Sequence, residues 1–99
     1  MQKQAIKIQK LITELEKIAG RAYAKMTRVQ KMYYEATDLE NYASVNYHFN
    51  LAPETVAADK LFSLTRDEDL RTAMLDAELC LQIMCCSDEQ LIEELEEAS

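Results

Sequence analysis

An apolar heptad repeat runs through the first 45 residues and restricts the fold more than any other feature of the sequence. With position a placed at Ala5, eleven of the twelve a and d positions up to Ala43 are apolar, and Glu40 is the exception. Such a stripe is typical of a helix that packs in a bundle or a coiled coil. The pattern therefore predicts one amphipathic helix over residues 1–45.

Gly20 is the weak point of this helix, because a glycine in mid-helix costs roughly 1 kcal/mol relative to alanine. The heptad phase nevertheless continues through it undisturbed, whereas a loop at this point would normally shift the phase. We therefore expect a helix that is continuous through Gly20, with a break there as the alternative. The small residues Ala19, Ala22 and Ala24 indicate that another helix packs closely at this point.

Turn-forming residues are scarce, since the chain of 99 residues has one glycine and one proline. This composition argues against a β-sandwich or barrel and favours a single all-α domain, 1–99. After the long helix we expect a connector over residues 46–64, in which Pro53 begins a short helix over 53–63. One side of that short helix carries Val56, Lys60, Leu61 and Leu64.

Two further helices are predicted from their capping boxes, in which a hydroxyl residue precedes Glu or Gln by three positions. The first box is Thr65 with Glu68 and begins a helix over residues 65–86. Its apolar seam consists of Leu70, Met74, Ala77, Leu81 and Met84. The second box is Ser87 with Gln90 and begins an acidic helix over residues 87–99.

Helix length bears on the state of assembly. A continuous helix of residues 3–45 would be ~64 Å long at ~1.5 Å per residue, whereas a compact domain of this size has a diameter near ~33 Å. Either the helix breaks near Gly20 and a compact bundle forms, or a second copy covers the remaining seam. We expect the second arrangement, an elongated coiled-coil homodimer.

Charge is distributed unevenly along the chain. Residues 1–31 hold eight basic and two acidic side chains, and residues 32–99 hold three basic and sixteen acidic ones, for a net charge of −7. Seven of the basic residues fall at heptad positions c or f, opposite the apolar seam: Lys3, Lys7, Lys10, Lys17, Arg21, Arg28 and Lys31. We call this set the basic stripe.

The basic stripe has two interpretations, a solvated helix back or a docking surface for an anionic partner. Because the net charge argues against general nucleic-acid binding, an acidic protein is the favoured partner. The candidate contacts are Lys10, Lys17, Arg21 and Arg28.

Aromatic residues gather between residues 33 and 49, and tyrosine is enriched at protein interfaces. Tyr33 belongs to the heptad seam and is predicted to lie in the core. Tyr34, Tyr42 and Tyr47 are less well explained by the heptad frame. We take these three as further candidate contacts for a partner, with the wide end of a bundle core as the alternative.

The C-terminal turns carry Glu93, Glu94, Glu96 and Glu97, where the helix dipole favours cations instead. Two interpretations stay open for this segment. It is either a solvated acidic tail or a segment held by something basic, for which the basic stripe of a neighbouring chain is a candidate.

Residues suited to catalysis or metal binding are few. His48 is the single histidine, which argues against a zinc enzyme site and leaves it as a loop residue beside tyrosines. Cys80, Cys85 and Cys86 lack the CxxC spacing of a zinc ribbon, and Cys80 is predicted to be buried. We expect neither cofactor nor metal.

The cysteines and the hydropathy of the chain bear on its cellular setting. Three closely spaced cysteines indicate a reduced, cytoplasmic setting, and no apolar run approaches the ~20 residues that span a bilayer.

Together these features predict a non-enzymatic protein-binding module, such as an adaptor, chaperone or inhibitor, that acts as a small helical oligomer. One alternative is a bundle that binds an anionic ligand or nucleic acid through the basic stripe. A weaker alternative is an enzyme whose site, with His48 and acidic residues, forms only in the oligomer.

Overall fold

The computed structural model describes residues 2–45 and 50–98, and it folds them into helices joined by short turns. Within these ranges no strand occurs, so the all-α prediction is confirmed. The helices are α1 (Gln2–Lys25), α2 (Arg28–Ala36), α3 (Leu39–Val45), α4 (Pro53–Thr65), α5 (Glu68–Met84) and α6 (Asp88–Ala98).

Helix α5 lies at the centre of the bundle and packs against α1, α2, α3 and α4. Because helices surround it, α5 buries side chains well beyond the single seam predicted from the sequence. Leu70, Met74 and Ala77 of that seam are fully buried, as predicted, and Leu75 and Leu79 on other sides of the helix are buried as well. The core of the protein is therefore built around this one helix.

The N-terminal helix α1 packs along α5 through the heptad residues Leu15, Ala19 and Ala22, all of which are buried. The helix is continuous through Gly20, as predicted. The close packing expected at the small residues occurs at Ala19 and Ala22 but not at Gly20, which is exposed and where a methyl group would have no neighbour within 4 Å.

The prediction of one helix over residues 1–45 is wrong, because α1 ends at Lys25 and the chain turns at Met26 and Thr27. A capping box that the heptad analysis overlooked begins α2 here. The Gln30 amide donates to the Thr27 hydroxyl at 3.1 Å, and the Thr27 amide donates to the Gln30 side chain at 2.8 Å. A second turn follows at Thr37 and Asp38, where the Asp38 carboxylate accepts from the Glu40 amide at 2.9 Å.

The first turn is held by contacts with the end of α5. The buried side-chain amide of Gln30 donates to the carbonyls of Ile83 and Cys86 at 3.3 and 3.2 Å. The Thr27 hydroxyl donates to Asp88 at the start of α6, at 2.7 Å. These bonds link the α1–α2 turn to the α5–α6 turn, so the interruption is stabilised by tertiary structure as well as by its own cap.

The turns shorten the molecule. The described chain measures 47 × 25 × 18 Å with a radius of gyration of 14.1 Å, well short of the ~64 Å expected for a continuous helix. Much of the heptad seam is covered by α5 of the same chain. The length argument for a homodimer therefore no longer applies.

The connector helix α4 begins at Pro53, as predicted, and continues two residues beyond the predicted end. The side that carries Val56, Lys60, Leu61 and Leu64 is not the side that α4 buries. Its buried residues are Thr55, Ala58 and Phe62, at the i, i+3, i+7 spacing of a helix face. Leu64 is 79% exposed. The buried face of α4 therefore combines the small residues Thr55 and Ala58 with Phe62, and the leucines lie to the side.

The two capping boxes predicted from the sequence have different outcomes. At the start of α5 the cap is Asp67, which accepts from the Leu70 amide at 2.9 Å. Thr65 instead ends α4, so the box predicted there is wrong. The box at Ser87 is confirmed, since the Gln90 amide donates to the Ser87 hydroxyl at 3.2 Å and the Ser87 amide donates to the Gln90 side chain at 3.3 Å.

Gly20→Ala should stabilise the protein by up to ~1 kcal/mol, because alanine costs less conformational entropy and the added methyl group meets open space. Urea unfolding monitored by circular dichroism measures the change. A destabilised variant would contradict a continuous, uncrowded helix at this position.

Gln30→Ala should destabilise the protein by about 2 kcal/mol, since it removes two partly or fully buried hydrogen bonds and half of a capping box. Gln90→Ala is the matched control, because it makes the same chemical change in an exposed capping box. Gln90→Ala should lower the free energy of unfolding by no more than ~1 kcal/mol. Equal costs in urea unfolding would show that the Gln30 bonds to α5 contribute nothing.

Candidate partner-binding groove

An open groove of about 510 Å³ lies between the N-terminal half of α1 and the C-terminal half of α4. Apolar side chains form its floor, and charged side chains stand at its rim. Its lining residues are Lys7, Lys10, Leu11, Glu14, Ala57, Lys60, Leu61 and Leu64. We call this the α1–α4 groove.

The apolar floor follows from how α1 and α4 meet α5. Helix α4 turns Ala58 and Phe62 inwards, which leaves Leu61 half-buried and Leu64 exposed on its flank. On α1, Leu11 lies at the margin of the heptad seam and is also half-buried. The apolar surface of the two helices is wider than the core can cover, and the remainder lines the groove.

The rim of the groove is basic. Lys7 and Lys10 lie three residues apart on α1, where i and i+3 side chains are neighbours, and Lys60 comes from α4. All three are exposed, and none forms a salt bridge with another of the described residues. Glu14 is the acidic member of the lining. The groove therefore combines an apolar floor with an excess of positive charge.

The structure separates the residues of the basic stripe that were predicted to bind a partner. Lys10 lies at the α1–α4 groove, and Lys17 is exposed further along α1. Arg21 lines a second, smaller depression of about 350 Å³ together with Glu54. Arg28 belongs to α2, beyond the turn. The stripe is thus divided, and Lys60 of α4 joins its N-terminal part.

The predicted tyrosine contacts are mostly engaged within the chain. The Tyr34 hydroxyl donates to Asp76 at 2.5 Å, and its ring meets Tyr23 edge-on with centroids 5.6 Å apart. Lys31 lies 5.1 Å from the centre of the Tyr23 ring. Tyr42 is 6% exposed and belongs to the core, so it offers little surface to a partner.

Two of the residues singled out in the sequence, Tyr47 and His48, lie outside the described residues, as does the neighbouring Phe49. The predicted core position of Tyr33 is confirmed in a weaker form, since it is half-buried and packs against the core. Cys80 is buried, as predicted, and burial raises the pKa of its thiol to about 12.

Glu78 of α5 is the most perturbed carboxyl group among the described residues. It has no exposed surface, and neither carboxylate oxygen has a hydrogen-bond partner there. Burial raises the pKa of Glu78 to about 7. The Thr55 hydroxyl donates its own proton to the Ala52 carbonyl at 2.8 Å.

The Tyr42 hydroxyl is also buried without a hydrogen-bond partner, and the nearby Glu78 contributes to the raised pKa of Tyr42 after burial itself. A perturbed carboxyl group is sometimes a catalytic acid. Glu78, however, is closed to solvent in this conformation and does not line the grooves described above. Its measurable consequence is on stability.

Sequence reasoning found Lys10 but missed the groove. The available signal was the side of α4 that carries Lys60, Leu61 and Leu64. A leucine that is exposed at the end of a helix has the same sequence pattern as a buried one. Its position relative to α1 depends on how the two helices pack.

Comparisons with models of protein families, with curated proteins and with solved structures found no match to this chain. Among the described helices, none combines the length and the hydropathy required to cross a membrane. The described side chains contain no cluster of three or more His, Cys, Asp or Glu residues arranged to hold a metal ion.

Glu78→Gln should stabilise the protein above about pH 7 by roughly 2–3 kcal/mol and have little effect near pH 4.5. The pKa of the Glu78 carboxyl group is higher in the folded state than its ordinary value in the unfolded chain. The folded state therefore binds more protons than the unfolded state between these two pH values. The free energy of unfolding of the wild type therefore falls as pH rises through this window, and glutamine removes that dependence.

Urea unfolding at several pH values tests this prediction, with Glu16→Gln as the control because Glu16 is an exposed carboxylate on α1. The control should show no comparable step between acidic and neutral pH. A Glu78→Gln variant that is less stable than wild type at pH 8 would mean that the charged carboxylate is compensated in the fold.

Proposed function

We propose that this chain is a non-enzymatic protein-binding module whose α1–α4 groove takes an acidic amphipathic helix of a partner protein. The observation that carries the proposal is the combination of exposed Leu64 and half-buried Leu61 with three lysines that have no salt-bridge partner among the described residues. An adaptor, chaperone or inhibitor would each use such a surface.

An amphipathic helix suits both parts of this groove. Its apolar residues at i, i+3, i+4 and i+7 provide anchors for a hydrophobic floor. Burying a leucine that is otherwise exposed contributes about 1.5–3 kcal/mol. Carboxylates beside those anchors would pair with Lys7, Lys10 and Lys60 at the rim. Exposed pairs of this kind contribute about 0.2–1 kcal/mol each, so that three together change the affinity roughly tenfold at low salt, and salt weakens them.

The alternative of nucleic-acid binding along the basic stripe is less well supported. A duplex backbone presents a continuous array of phosphates, whereas the turn at Thr27 places Arg28 and Lys31 on a separate helix from Lys7 and Lys10. The apolar floor offers nothing to a phosphate, and the net charge of −7 opposes association with a polyanion. A cytoplasmic setting, expected from the three free cysteines, belongs to the same proposal.

Replacing Lys7, Lys10 and Lys60 with glutamine should weaken binding of an acidic amphipathic peptide at least tenfold at low salt and preserve the fold. The probe is a fluorescent synthetic helix of about 18 residues, with leucines at the i, i+4 and i+7 spacing and glutamates beside them. Fluorescence anisotropy at several salt concentrations measures the affinity. Wild-type binding should weaken as salt rises.

The matched control replaces Lys17, Arg21 and Arg28 with glutamine, which removes the same charge from parts of the basic stripe outside the groove. Its affinity for the peptide should be within about threefold of the wild-type affinity once salt screens the long-range electrostatic field. Equal loss in both variants would assign the effect to overall charge, and no binding by the wild type would overturn the proposal.

A further inference from the structure

The last helix of the chain has the chemistry that the α1–α4 groove requires. On α6, Ile92 is 41% exposed, although neighbouring Leu91 is buried in the chain's own core. Glu89, Glu93 and Glu97 form an exposed row at four-residue spacing beside Ile92. Helix α6 is therefore an acidic amphipathic helix with one apolar side chain left uncovered.

The C-terminal end of this acidic row is poorly matched to its own helix, since Glu97 lies in the last turn, whereas Glu89 lies in the first turn, where a carboxylate is favoured. Residues in the last turn of a helix lie near the negative end of the helix dipole, where cations are favoured. The last turn of α6 holds no basic residue. A basic surface placed against the row would relieve this unfavourable arrangement, which is an independent reason to expect a cationic neighbour.

The groove and α6 lie at opposite ends of α1. Asp88, at the start of α6, accepts a hydrogen bond from Thr27, just beyond the C-terminal end of α1. Helix α6 packs against α2 there. Lys10 lies fifteen residues before Lys25, or ~22 Å along the helix. In this conformation, therefore, α6 lies too far from the α1–α4 groove of its own chain to bind in it.

We propose that the α1–α4 groove binds α6 of a second copy of this chain, with Ile92 against the leucine floor and the acidic row beside Lys7, Lys10 and Lys60. This inference rests on the proposed function, since it names the helix that the groove takes. The row from Glu89 to Glu97 is ~12 Å long and the α1 side of the groove, from Lys7 to Glu14, is ~10 Å long.

The resulting assembly is head to tail. Each contact joins the groove of one copy to α6 of the next, so the outer copies keep one groove and one α6 available. The average mass should therefore rise with protein concentration through dimers to larger species, unless the rotation closes a ring. A helix from another protein would compete with α6 for the same groove.

Charge reversal provides the test. A groove variant carries Lys7→Glu, Lys10→Glu and Lys60→Glu, and a tail variant carries Glu89→Lys, Glu93→Lys and Glu97→Lys. Each variant alone should stay monomeric, because its groove and its α6 then have the same sign of charge. Glu97→Lys suits the helix dipole, whereas Glu89→Lys in the first turn opposes it, so the two effects offset and the tail variant should fold.

Mixing the two variants should restore association. The acidic groove of the groove variant then meets the basic α6 of the tail variant, and the basic groove of the tail variant meets the acidic α6 of the groove variant. Sedimentation velocity over a range of concentrations measures the masses of wild type, single variants and mixture, and circular dichroism confirms that each is folded. The expected result is concentration-dependent association of the wild type, at least tenfold weaker association of each variant, and recovery in the mixture.

Two results would overturn the inference. One is a wild type that stays monomeric at high concentration, and the other is association that both reversals leave unchanged. The tail variant keeps an unaltered groove, so its binding of the acidic peptide probe separates the two proposals. If it binds the peptide while the wild type does not self-associate, the groove still takes acidic helices and the natural ligand is not α6.

Discussion

Burial of α5 is the constraint on which the rest of this structure depends. Its apolar residues occupy several sides of the helix, so four other helices must cover it. Helix α1 alone covers one flank, and the chain has to turn at Thr27 and again at Asp38 to bring α2 and α3 to other parts of the same helix. A straight helix of residues 1–45 would leave much of this surface in water, at roughly 25 cal/mol for each apolar Å².

The same constraint determines what remains on the surface. Because α4 meets α5 through Ala58 and Phe62, its leucines at positions 61 and 64 lie beside α1 and form the floor of a groove with a basic rim. Helix α6 covers the turn region instead and keeps its acidic row outside. The basic residues of the first half of the sequence thus lie on α1 and α2, whereas the acidic row lies on α6.

Several elements were predictable because their signals are local. The 3.6-residue periodicity identifies helices wherever one face is apolar, and the uninterrupted phase correctly predicts that α1 continues through Gly20. Pro53 and the Ser87 box mark helix starts through the geometry and hydrogen bonds of a few adjacent residues. These features need no distant partner, so the sequence by itself determined the helical class and part of the helix boundaries.

Tertiary structure decided the rest. The heptad phase passes through Thr27 and Asp38 because helices on both sides of each turn still direct their apolar faces to the same core. The pattern therefore hides the turns, and the bonds from Gln30 to the end of α5 exist only once the bundle forms. Likewise, the burial of Glu78 and the exposure of Leu64 depend on which neighbours surround each helix. Periodicity identifies an apolar face, whereas packing determines which part of that face stays exposed.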